Sequence, residues 1–153
     1  MANNIFDLFI NRECNFLITE YGFKLIGIQH SDSFGNAAAT FESDLLILRV
    51  IKDREQYSFY FAGKYDKKKN NWYDLDIVLL AAQGETKYPT EKTRVNIDDI
   101  YDAEKQILKA KKDIDMLKTK MADVINLFKV DKIEEAKEKM NKLRNQRAKV
   151  LFG

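Results

Sequence analysis

The stretch from Phe41 to Ala62 limits this chain most. Leu45-Leu46-Ile47-Leu48-Arg49-Val50-Ile51 and Tyr57-Ser58-Phe59-Tyr60-Phe61 flank the polar tetrapeptide Lys52-Asp53-Arg54-Glu55. β-Branched and aromatic residues suit a pleated, half-buried surface, and two such runs joined by a short polar connector form an antiparallel hairpin. No other part of the chain concentrates as much apolar surface. The flanking segments must therefore pack on this pair or add to its edges.

Before the hairpin, Ile5, Leu8, Phe9, Phe16 and Tyr21 recur mostly at helical spacing and predict a helix over about 4–20, with Asn3 or Asn4 as its cap. Gly22 fits the left-handed position that ends it. Cys14 falls on this helix and reads as a small buried hydrophobe, since no histidine or basic cluster adjoins it. Phe23 to His30 reads as a strand, Ser31 to Asn36 as turn chemistry, and Ala37 to Ser43 as a second strand. With the hairpin this gives an antiparallel meander of about four strands.

After the hairpin, Lys67-Lys68-Lys69-Asn70-Asn71 reads as a solvated loop tip. The run Asp74 to Gly84 is apolar enough for a buried strand or a buried helix. Helix is favoured by Asp74 as a cap, by Ala81-Ala82-Gln83, and by Gly84 just past the end. Glu85 to Asn96 reads as a linker containing Pro89, the chain's one proline.

From Ile97 the pattern changes. Ile100, Ala103, Ile107, Ala110, Ile114, Leu117, Met121, Val124 and Phe128 alternate steps of three and four, an a/d seam over four heptads. Asn96 is a candidate cap, and Asp98, Asp99 and Asp102 complement the dipole of the first turns. A helix of about thirty residues would be roughly 45 Å long. The seam loses phase near Val130, where Asp131-Lys132-Ile133-Glu134 can start a second helix, and apolar residues then fall at Ile133, Ala136, Met140, Leu143 and Val150. The fold expected is α+β over residues 1–95, with residues 96–153 as a helical hairpin appendage. Lys142, Arg144, Arg147 and Lys149 near its end have a local explanation in the helix dipole.

The chain's 153 residues are about one domain, and the formal charge of +2 argues against a nucleic-acid or anionic membrane partner. One cysteine allows no intramolecular disulfide and no cysteine-based zinc site. The opening residues lack the pattern of a secretory signal, and no apolar run reaches the roughly 20 residues of a membrane span. A cytoplasmic protein is expected.

Chemistry is sparse. His30, the one histidine, lies beside Ser31, Asp32 and Ser33, but neighbouring strand residues point to opposite faces and turn formation explains the others. Asp74 with Asp76, Asp98 with Asp99 and Asp102, and Glu42 with Asp44 have capping, dipole or turn explanations. No segment fits a Walker or dinucleotide fingerprint. No catalytic residue, metal ligand or cofactor is assigned. Binding has more behind it: Tyr57, Tyr60, Tyr65, Trp72 and Tyr73 are polar-tipped aromatics of the kind that anchor protein interfaces. The seam residues Ile100, Ile107, Ile114, Leu117, Met121 and Phe128 must also find a partner, on this chain or in a homodimer.

Tyr21-Gly22-Phe23, Phe41-Glu42-Ser43-Asp44, Leu48, Val50, Asp53-Arg54 and Trp72-Tyr73-Asp74-Leu75 together resemble a pattern in small bacterial immunity-type proteins of polymorphic toxin systems and related uncharacterised families. The resemblance covers about the first 85 residues, and residues 97–153 depart from it. It implies a helix, an antiparallel sheet around the Asp-Arg turn and a helix after the aromatic-acidic stretch, in a cytoplasmic protein that binds a partner and catalyses nothing. The expectation is a protein-binding, immunity-like or mobile-element-associated module that occludes its target. A phage or secretion scaffold assembled through the C-terminal helices is the first alternative, and a carboxylate-dependent nuclease or hydrolase the second.

Overall fold

The computed structural model of the chain describes residues 5–32, 35–66, 71–89 and 97–152. Five antiparallel strands lie side by side in chain order: β1 (Lys24–His30), β2 (Ala37–Glu42), β3 (Leu46–Asp53), β4 (Gln56–Gly63) and β5 (Tyr73–Asp74). The hairpin of β3 and β4 pairs without a slip from Leu46 opposite Gly63 to Asp53 opposite Gln56. Its turn is only Arg54-Glu55, tighter than the tetrapeptide suggested. Arg54 sits in the left-handed region at φ 58°, which a residue with a Cβ seldom adopts, and its N–H donates to the Asn36 side chain at 2.7 Å. β5 adds a strand to the expected four. It pairs only through Tyr73 opposite Phe61 and Asp74 opposite Tyr60, too short to carry an alternation.

The first helix is two, α1 (Ile5–Glu13) and α2 (Asn15–Tyr21). Phe6, Phe9 and Ile10 bury one stripe of α1. The chain breaks at Cys14, and Phe16 and Leu17 of α2 are buried in turn. Cys14 itself is fully buried, and burial pushes its thiol up to about 12, the state of an inert core group. Gly22 closes α2 at φ 71°, with the Phe23 N–H on the Leu17 carbonyl at 3.0 Å. The proposed caps Asn3, Asn4 and Asn96, and the loop tip at 67–70, lie outside the described residues.

α3 (Leu75–Ala82) is the helix expected there, and it is buried along most of its length. A 3₁₀ turn at Ile97–Tyr101 precedes α4 (Ala103–Leu127), whose cap is Asp102, accepting from the Lys105 N–H at 3.1 Å. α5 (Ile133–Phe152) follows the expected break. α4 and α5 pack chiefly on α3 rather than on each other, and α4 also crosses β4. The seam is thus satisfied within the chain: Ile114, Leu117, Met121 and Phe128 are completely buried, while Ile107 and Ile100 at its start are half-buried. One hydrophobic cluster runs from Phe6 to Leu143 across the expected boundary at residue 95. Residues of α4 and α5 from Ala110 to Leu143 therefore belong to the same core that covers the sheet.

The sheet has two different faces. Ala39, Phe41, Leu48, Val50, Phe59, Phe61 and Tyr73 share one, and the helices cover it. Phe9 reaches Phe59, and Phe128 and Ile133 close over Gly63 so tightly that a Cβ there would lie 3.1 and 3.0 Å from their carbons. The other face carries Ala38, Thr40, Ile47, Arg49, Ile51, Ser58 and Tyr60, every one half-buried. A helix layer over them would have buried the central strand, so this is the open side.

Candidate binding surface

Strand period decides which aromatics reach the open side. Tyr60 faces out, in register with Arg49 on β3, while its neighbours Phe59 and Phe61 face the core. The same alternation puts Tyr57 on the covered face, 4.8 Å from Phe9 and 6.1 Å from Phe6 between ring centroids. Burial, with a smaller contribution from Glu55, pushes its hydroxyl up to about 12, and that hydroxyl has no hydrogen-bond partner among the described residues. Tyr73 is fully buried as well. Its hydroxyl accepts from Asn71 Nδ2 at 2.7 Å and donates to Asn141 Oδ1 at 3.3 Å, and Arg144 lies 4.8 Å above its ring. The side chains of Tyr57 and Tyr73 therefore anchor the core. Tyr65 is exposed in the turn after β4.

Trp72 joins Tyr60 through Arg49, whose guanidinium stands 4.7 Å from the indole centroid. That distance is a cation–π contact. No carboxylate pairs with Arg49 among the described residues, whereas nearby charges are already matched: Glu42 with Lys64, and Asp74 with Arg147. The result is a half-buried cation between two amphipathic rings, flanked by Ile47 and Ile51. An arginine, a tryptophan and a tyrosine are the side chains that most often dominate binding energy at protein interfaces. Arg49 was missed from sequence, yet it had a signal, being the one charge within the apolar run Leu45 to Ile51.

The basic residues near the chain's end also have partners that a dipole argument does not find. Arg147 Nη1 donates to Asp74 Oδ2 at 2.7 Å and Asp76 Oδ1 at 2.9 Å, so Asp74 holds α5 instead of capping α3 with its side chain. Tyr88 donates to the other Asp76 oxygen at 2.9 Å. Arg144 donates to the Trp72 carbonyl at 3.2 Å, which fixes the backbone that presents the indole. Lys137 and Asp66, both nearly buried, meet at 2.6 Å and tie the turn after β4 to α5.

Asp53 and Asp74 stand far apart on the sheet. Asp53 closes the hairpin opposite Gln56, and Asp74 pairs opposite Tyr60, four residues or about 14 Å along the strand. His30 Nε2 lies 2.9 Å from Asp7 and joins β1 to α1. Among the described residues no group of three or more histidine, cysteine, aspartate or glutamate side chains is arranged to hold a metal ion. No helix among them is long and apolar enough to cross a membrane. Comparison with protein-family models, curated proteins and solved structures finds no significant match to this chain.

Proposed function

We propose that this is a non-catalytic protein-binding module that occludes a surface of its partner with the open sheet face, in the manner of a cytoplasmic immunity-like or mobile-element-associated protein. The observation that carries the reading is Arg49, seated on Trp72 beside Tyr60 on a face that the helices leave open. A cation already partly stripped of water loses less on binding than a freely solvated one, and a partner carboxylate would gain a charge-assisted bond there. The completed core supports a rigid platform, since every helix packs on the other side.

The test is capture from the host's own lysate with the tagged chain, followed by affinity measurement on the purified partner. Arg49→Glu and Trp72→Ala should each weaken binding by about thirtyfold or more, the level of a hot spot, while melting within a few degrees of the parent. A partner that both variants retain with unchanged affinity would overturn the assignment of this face.

A further inference from the structure

β5 pairs with β4 only at Tyr60 and Phe61, because the chain turns into α3 at Leu75. Among the described residues, Gln56 to Phe59 consequently have a strand neighbour on the β3 side alone. With Asp53 and Gln56 closing the turn, the alternation of an antiparallel ladder directs the outward N–H and C=O groups of Tyr57 and Phe59 away from β3. No loop or helix backbone among the described residues bonds to them. In front of this edge lies a cleft of about 310 Å³, room for roughly ten waters.

The walls of the cleft are specific in character. Leu75, Leu79 and Met116 supply an apolar side, and Met116 is half exposed. Asp74, Asp76 and Asp113 face it with Lys109, while Arg147 serves Asp74 and Asp76 from α5. Three carboxylates against two cations leave one negative charge in excess. Asp74 and Asp76 share Arg147 at 2.7 and 2.9 Å, whereas Asp113 has Lys109 at a looser 3.7 Å; burial raises the Asp113 pKa despite that neighbour, with Asp76 adding to the rise.

We propose that the free edge of β4 receives an extended segment of a partner protein carrying a lysine or arginine, added beside Tyr57–Phe59 as a strand in line with β5, with its cation meeting Asp113. Main-chain bonds to the two outward residues would provide attachment, and the loosely paired Asp113 carboxylate would select the charge. The site adjoins the Arg49 face at Tyr60 but rests on different observations.

The probe is the capped pentapeptide Val-Thr-Lys-Thr-Val, titrated to millimolar concentration into the isotope-labelled full chain, with Val-Thr-Glu-Thr-Val as its counterpart. The lysine peptide should shift the amide resonances of Tyr57 to Tyr60 and slow hydrogen exchange at Tyr57 and Phe59, and the glutamate peptide should do neither. Asp113→Asn should weaken the lysine peptide roughly fivefold with the other amide positions unchanged, which reports a retained fold. Equal response to both peptides, no response at these amides, or slow exchange there before any peptide is added would each overturn the proposal.

Discussion

Gly63→Ala adds one methyl where sheet and C-terminal helices come closest. The new Cβ would lie 3.0 Å from Ile133 Cδ1 and 3.1 Å from Phe128 Cδ1, inside normal contact distance. Overpacking of this kind costs about 1–3 kcal/mol, and replacing glycine by alanine at an ordinary backbone conformation returns about 0.4–1 kcal/mol through the unfolded chain. A net loss of about 1 kcal/mol follows, read as a lower urea midpoint at unchanged slope. Ile133→Val removes the nearer clashing atom and on its own costs about 0.5–1.5 kcal/mol. If α5 sits on β4 as described, the double variant is less damaged than the two singles together, by at least about 0.5 kcal/mol. Additivity within about 0.3–0.5 kcal/mol would show that the two residues do not touch and would refute the packing.

Other perturbations probe separate contacts. Leu117→Ala, at a completely buried seam position, should cost about 2–5 kcal/mol in urea unfolding. Tyr57→Phe deletes a buried hydroxyl without a partner among the described residues, so it should leave stability unchanged or raise it by about 1 kcal/mol; a clear loss in the same assay would mean the hydroxyl is bonded. The Asp113 carboxyl is raised above its ordinary 3.8 by burial, so the folded chain holds that proton more tightly than the unfolded one. Its contribution to stability is full below about pH 3.8 and is lost as pH rises through the folded value, and Asp113→Asn should therefore be more stable than the parent at pH 7 and lose that advantage at low pH, as melting across pH would show.

Much of the architecture was legible in sequence because it rests on local period and punctuation. Tyr57, Phe59 and Phe61 against Ser58 and Tyr60 give β4, Gly22 gives the end of α2, and the steps of three and four from Ile100 to Phe128 give most of α4. The same evidence runs out where a partner has to be named. A seam states that one side of a helix is apolar but not what covers it, so Ile114 and Leu117 fitted a dimer as well as α3. Period two separates Tyr57 from Tyr60, yet only the pairing with Arg49 and the position of the helices show which face is open. β5 escaped because two residues carry no pattern. Asp74 does stand at the cap position of α3, but its side chain goes to Arg147, 73 residues away, a pairing that no local pattern announces. Of the five aromatics expected to bind, Tyr60 and Trp72 meet around Arg49, Tyr65 is exposed in the turn after β4, and the side chains of Tyr57 and Tyr73 serve the core.

The central claim is that the C-terminal helices cover one face of their own sheet and leave the other free. Isotope-filtered NOE spectroscopy on a mixture of labelled and unlabelled chain separates contacts within a chain from contacts between chains. The account predicts cross-peaks from the Ile133 methyl and the Phe128 ring to Gly63 in the uniformly labelled sample and none in the filtered spectrum of the mixture. The same cross-peaks appearing in the filtered spectrum would place those helices on a second copy and contradict it.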